Sequence, residues 1–268
     1  MERGTFTIGD LRLATASSGD GRAVLFLHGL CGAAGQPAGV FPNDSGWRCL
    51  TLECRGHGHS DCGDFADLSI RQFAADVAAF AATIDGPPPL IGGISMGAAI
   101  ALHLAVRTSG MFGGLILARP AWVDQPAPDT LAPHRQIADY LATYDNAEAR
   151  RRFQDSATAR AIARASPDNM ASLLGFFDRQ PLDQTQALLA AIGNDGPGVD
   201  RVDITALDMP TLIIGTDHDV VHPLTMAREL ASLIPSSQLV EITSKSENPD
   251  AYVAEFRQAL RRFLKEIA

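Results

Sequence analysis

Ser95 stands between two glycines, in Gly93-Ile94-Ser95-Met96-Gly97. A serine oxygen attacks an acyl carbon only when a neighbouring base takes its proton and fixed donors receive the negative charge that develops. The glycines meet a steric need of that chemistry. A sharp strand-to-helix turn strains the nucleophile's backbone and packs adjacent turns closely, and it presents the oxygen at the C-terminal edge of a sheet. The other use of such a serine is to cap a helix. What separates the two uses is the flanking sequence: PLIGGI before Ser95 reads as a buried strand, and AAIALHLAVRT after it reads as a helix. The helix start then points amide hydrogens at an anion formed beside Ser95. A second chemical spacing is His57-x-His59-x-x-Cys62. It is that of metal ligands, but no fourth ligand accompanies it, and no metal site is expected.

The elements that would position Ser95 can be read from periodicity. Residues 5–16 form a hairpin pattern turning at Gly9 and Asp10. Candidate strands are 23–28, 48–53, 89–95, 113–119, 210–216 and 237–243, several of them apolar throughout, as strands buried on both faces must be. Helical spacing of apolar residues covers 69–84, 98–108, 223–234 and 249–267. Strands alternating with helices predict an α/β fold, a mostly parallel sheet flanked by helices. From 122 to 206 no convincing strand occurs. This segment begins among Pro120, Pro126, Pro128 and Pro133 and ends in the loop GNDGPGVD. The expected organisation is a core of residues 1–121 and 207–268 with residues 122–206 inserted as a helical cap over the sheet.

Composition narrows the functions open to this fold. The chain has 268 residues, 46% of them hydrophobic and 20% charged, with a formal net charge of −9. An acidic chain without a basic block lacks the electrostatic footprint that phosphate backbones demand, so neither nucleic acid nor an anionic membrane is expected as a partner. The first residues lack an apolar signal-peptide core, and no apolar run is long enough to span a bilayer. A cytoplasmic location is therefore expected, with Cys31, Cys49, Cys54 and Cys62 as reduced thiols. The oligomeric state stays open, a homodimer included.

Three motifs in order, HGLCG (28–32), RGHGHS (55–60) and GISMG (93–97), resemble those of the α/β-hydrolase superfamily, and the resemblance covers most of the chain outside the cap. HGLCG is similar to the family's oxyanion loop. RGHGHS is similar to its RGxGxS turn, with Glu53 near the position usually held by aspartate. The resemblance implies that Ser95 is a nucleophile and that the backbone amides of Leu30 and Met96 donate to the oxyanion. It also implies an acid after a late strand, in GTDHDVVHP (215–223). There Asp219, four residues before Pro223, matches the family's spacing and Asp217 is the reserve. Capping of the following helix is the competing role for either aspartate.

The chain departs from the family at the base. Where the family carries a histidine after its last strand, this chain reads TSKSENPD (243–250), and His222 is the last of its seven histidines. His222 is the first replacement considered, since it shares a loop with Asp219. His28 beside the oxyanion loop, His134 at the start of the cap and Lys245 in the vacated loop are the others, while His103 reads as a core histidine. Residues expected to meet a substrate are His28, His134 and, as apolar lining, Trp122, Phe176 and Phe177.

Three functions fit this pattern. The first is hydrolysis of a small ester, lactone or related acyl compound through Ser95 and a non-standard base. The second is a binding protein that has kept the pocket and lost turnover, and the third is a cofactor-independent C–C hydrolase or lyase. The first is favoured, because a pure binding module has no physical need for a strained turn at Ser95. A small-molecule substrate is implied, and no cofactor.

Overall fold

Two strands, β1 (Glu2–Ile8) and β2 (Leu11–Ser18), open the chain as an antiparallel hairpin turning at Gly9, whose φ of 56° costs glycine nothing. Strands and helices then alternate as β3 (Arg22–Leu27), α1 (Gly35–Val40), β4 (Trp47–Leu52), α2 (Ile70–Ala81), β5 (Leu90–Ile94), α3 (Met96–Arg107) and β6 (Leu115–Ala118). Six helices follow without a strand: α4 (Ala132–Thr143), α5 (Asn146–Gln154), α6 (Ala157–Ala165), α7 (Pro167–Gly175), α8 (Leu182–Gly193) and α9 (Arg201–Thr205). β7 (Thr211–Thr216), α10 (Leu224–Leu233), β8 (Ser237–Ile242) and α11 (Pro249–Glu266) complete the chain. The computed structural model describes every residue from Met1 to Ala268.

All eight strands join one sheet in the order β1-β2-β4-β3-β5-β6-β7-β8. β2 is antiparallel to β1 and β4, and every other pairing is parallel. This is the α/β architecture with a helical insertion between β6 and β7. Within β3 the side chains divide strictly by parity. Leu25 and Leu27 pack with α2, α3 and α10 on one face, whereas Val24 and Phe26 pack with Phe41 and α11 on the other. Both faces being covered, every residue of β5, β6 and β7 is buried. α11 shows the matching helical stripe, with Tyr252, Phe256, Ala259, Leu260, Phe263 and Leu264 buried. Asn248 starts it, accepting from the amides of Asp250 and Ala251 at 3.2 and 3.0 Å.

One local reading differs from the structure, and one helix lies outside the candidate segments. β1 begins at Glu2, earlier than its pattern indicates, because an edge strand with mostly exposed residues has no apolar alternation to show. α1 contains Gly35, Pro37 and Gly39, which argue against a helix by propensity. Pro37 stands in the first turn, where its missing amide costs no hydrogen bond.

The inserted helices have a core of their own, formed by Ile137, Phe153, Ile162, Leu173, Phe177 and Leu189. α8 joins that core to the sheet, since Leu189 faces the inserted helices while Leu188 and Ile192 pack in the main core. No helix is long and apolar enough to cross a membrane.

Candidate active site

Ser95 occupies the one-residue turn between β5 and α3, with φ 57° and ψ −113°. A side chain rarely adopts that backbone, and the turn persists because its surroundings leave no alternative. A Cβ on Gly93 would lie 2.4 Å from the carbonyl carbon of Gly97, and one on Gly97 would lie 2.6 Å from the carbonyl oxygen of Leu27. Both contacts are with backbone that cannot give way, so the residues flanking Ser95 by two positions must be glycine. Met96 is the first residue of α3, and its amide is among those left without an intrahelical acceptor. The amide of Leu30 likewise donates to no protein acceptor.

His222 reaches both Ser95 and Asp219. Its Nε2 lies 2.8 Å from the Ser95 Oγ, and its Nδ1 lies 3.0 and 3.1 Å from the two Asp219 carboxylate oxygens. The His222 amide also donates to Asp219 Oδ1 at 2.9 Å, which closes the loop into a tight turn and swings the imidazole back across it. Asp219 caps no helix: α10 starts after Pro223 without a side-chain cap. The reserve carboxylate, Asp217, points outward beside His218.

Three residues that the sequence does not single out hold this arrangement. Arg119, directly after β6, donates through Nε to Asp219 Oδ2 at 2.8 Å and approaches the same oxygen with Nη2 at 2.5 Å. Its Nη2 also lies 3.2 Å from His222 Nδ1. A guanidinium only donates, so pairing with Nδ1 would force the histidine proton onto Nε2. The carboxylate wins that competition, because it is charged, offers two oxygens and already engages the guanidinium. The Nδ1–H tautomer follows, leaving the Nε2 lone pair for the Ser95 hydroxyl. Asn169 reaches across from α7, its Oδ1 accepting from the amides of Val220 and Val221 at 3.0 Å each, so the insertion fixes the loop between Asp219 and His222. Gln36 accepts from the Gly29 amide at 2.7 Å and shapes the loop that carries Leu30. A charged residue closing a buried strand was the one available signal, and it applies to Arg119 alone.

A cavity of about 140 Å³ opens beside Ser95 and His222, bordered by Leu30, Arg119, His134, Asn169 and Phe176. Three residues expected at the substrate are elsewhere. His28 is fully buried, with Nδ1 donating to the Gly29 carbonyl at 2.8 Å and Nε2 accepting from the Cys54 amide at 3.0 Å, so both nitrogens are spent on bracing the loop. Trp122 is drawn into the main core, its indole donating to the Asp195 carbonyl at 2.9 Å. Phe177 packs against Phe153 inside the inserted helices, with ring centroids 6.0 Å apart and planes tilted by 41°. Lys245 is exposed, and Ser246 beside it contacts Asp168 of α7. His103 donates through Nδ1 to the Pro197 carbonyl, 2.7 Å away, and so ties α3 to the loop after α8.

Glu53 is buried and bridges two loops, accepting from the amides of Ala34 at 2.9 Å and His59 at 2.6 Å. His57 places Nδ1 on the Arg55 carbonyl. No group of three His, Cys, Asp or Glu side chains has the arrangement of a metal site.

Burial lowers the pKa of His28, His57 and His222, and it brings His134 down to about 3, with the nearby His222 and Arg135 adding to the effect. At Asp219 burial opposes ionisation, yet the charges of His222 and Arg119 hold the carboxyl well below its usual range. Four histidines are therefore neutral when folded under conditions that protonate them when unfolded. Stability present above pH 6.5 is lost as pH falls below it, at up to about 1.4 kcal/mol per pH unit for each such proton. The urea midpoint should accordingly drop between pH 7.5 and 5.5, and an unchanged midpoint would contradict the neutral buried histidines.

Residues 22–245 match the family model of the alpha/beta hydrolase fold, and the chain belongs to that family. It is 26% identical over 246 residues to BpoC of Mycobacterium tuberculosis, named for the non-heme bromoperoxidases, covering 87% of this chain and 89% of that one. Among solved structures, a thermophilic esterase from Thermogutta terrifontis superposes with a TM-score of 0.73 at 20% identity over 100% of this chain and 99% of its own. The enol-lactonase from Burkholderia xenovorans gives 0.73 at 20% identity over 98% and 100%. At such identities the structural likeness establishes the fold.

Proposed function

We propose that the protein is a serine hydrolase of small esters, lactones or related acyl compounds. The observation that carries this reading is the single imidazole within hydrogen-bond distance of both Ser95 Oγ and the Asp219 carboxylate. Ser95 Oγ attacks the acyl carbon while its proton passes to His222 Nε2. Asp219 keeps the other ring proton on Nδ1 and stabilises the imidazolium without accepting that proton. The amides of Leu30 and Met96 receive the oxyanion, each contributing on the order of 3 kcal/mol in comparable sites. Collapse of the tetrahedral intermediate breaks the bond to the alcohol, which leaves with the proton from His222. Water then attacks the acyl group on Ser95 with His222 again taking a proton, and the acid is released as Ser95 recovers its own. The residues inserted between β6 and β7 act as the cap that closes the acyl site.

The esterase and the enol-lactonase among the structural neighbours act on acyl–oxygen bonds by name, which is consistent with this substrate class. A panel of short p-nitrophenyl esters and small lactones tests the reading. Turnover by the wild type that disappears in Ser95→Ala supports it. An unreactive wild type that is also inert to a fluorophosphonate would instead favour a binding protein.

Burial sets the His222 pKa below its ordinary value; Asp219 raises it and Arg119 lowers it. A base works only when neutral, so kcat/KM should rise along an acid limb whose midpoint lies below pH 6.5. Removing the positive charge in Arg119→Met favours the imidazolium, and the midpoint should move to higher pH. A shift in the other direction, or none, would mean that Arg119 does not act on His222.

A further inference from the structure

Most polar side chains around the Ser95 cavity are already committed within the protein. Gln36 holds the Gly29 amide, Asn169 the amides of Val220 and Val221, Arg119 the Asp219 carboxylate, and Ser172 the Asp168 carbonyl. His134 is the exception. It is 6% exposed, its Nδ1 is enclosed without a partner, and Nε2 makes no hydrogen bond. Its ring leans on Phe176 with centroids 5.4 Å apart, a contact that phenylalanine or leucine would make without burying polar nitrogens. A buried polar group without a partner is costly unless a ligand supplies one.

We propose that His134 is a specificity residue that hydrogen-bonds a hydroxyl or oxo oxygen on the acyl chain of the substrate. The inference rests on the serine-hydrolase reading for the orientation of that chain. The alcohol must depart after acylation, and a wider cleft of about 710 Å³ shares Leu30, Ser172 and Phe176 with the inner cavity, giving it a route. The inner cavity, with His134 on its wall, then holds the acyl chain. Nε2 is the nitrogen left open to a ligand, and in the neutral imidazole it donates or accepts according to tautomer, so it meets a hydroxyl in either form and an oxo oxygen as donor; burial keeps the ring neutral at working pH. The substrate class is therefore short acyl groups oxygenated at C2 or C3, in preference to plain alkyl acyl groups.

Matched p-nitrophenyl esters of butyrate, 2-hydroxybutyrate, 3-hydroxybutyrate and 3-oxobutyrate test this through ratios of kcat/KM. The wild type should prefer at least one oxygenated ester over the butyrate by about 10-fold or more. His134→Phe, which keeps the contact with Phe176, should bring that ratio close to one, and His134→Gln, which retains a donor and an acceptor, should restore part of it. Binding of 3-hydroxybutyrate and 2-hydroxybutyrate against butyrate to Ser95→Ala protein, followed by calorimetry, reads the same contact without turnover, so that failure of hydrolysis and failure of recognition are distinguished. Equal kcat/KM for all esters with equal binding of the acids, or a preference that survives in His134→Phe, would overturn the proposal.

Discussion

Ser95→Ala should lower kcat by on the order of 10⁵- to 10⁶-fold and leave the fold and the unfolding midpoint close to wild type. The size follows from what the substitution removes: without the oxygen no acyl-enzyme forms, and only the oxyanion donors and binding contacts remain, worth roughly 10³- to 10⁴-fold over water in other serine hydrolases. The fold should tolerate the change. Ser95 makes its backbone bond to the Ala118 carbonyl through its amide, and alanine keeps that amide. Alanine at φ 57° is no more strained than serine. Retention of more than about one per cent of wild-type turnover by a clean preparation would exclude Ser95 as the nucleophile.

His222→Ala should reduce kcat by on the order of 10²- to 10⁴-fold, the scale for loss of a general base. Its second signature is non-additivity. Because the two side chains act on one proton, the double variant with Ser95→Ala should be no slower than Ser95→Ala alone. A further decrease in the double variant would show that His222 contributes by another route. Loss of the largely enclosed imidazole also leaves the Asp219 carboxylate to Arg119, which already holds it at 2.8 Å, so the folded state keeps a partner for the buried charge and the activity loss can be read without unfolding.

The parts of this site that could be read from sequence are those whose geometry is local. Gly93 and Gly97 are required by backbone contacts within one turn, and the strand and helix on either side of Ser95 follow from periodicity. The same locality makes HGLCG and RGHGHS recognisable by spacing. The relation between Asp219 and His222 is different in kind. An imidazole three residues after its carboxylate reaches Ser95 from a loop in which His218 takes a φ of 49° and Asn169, some fifty residues earlier in the chain, accepts from the amides of Val220 and Val221. Periodicity carries no trace of such a contact. Arg119 is similar: it has a φ of 45° and its guanidinium meets Asp219, a hundred residues on, at a position that no glycine or proline advertises.

Apolar residues in the insertion pose another problem. Trp122, Phe176 and Phe177 are equivalent candidates for a cavity wall by type, yet only Phe176 borders the cavity, while the other two serve the main core and the core of the insertion. Hydrophobicity states that a side chain leaves water and says nothing about which of two interiors receives it.

His222, from the same loop as the acid, is proposed to activate Ser95, since no histidine follows β8. Phosphonylation of Ser95 by a fluorophosphonate measures that activation without knowledge of the substrate, as a second-order rate compared between the wild type and His222→Ala at pH 7.5. Labelling of the wild type should be confined to Ser95, and the rate should be on the order of 10²-fold or more lower in the folded His222→Ala protein. Equal rates in the two proteins, or a folded wild type that is not labelled at all, would exclude His222 as the group that activates Ser95.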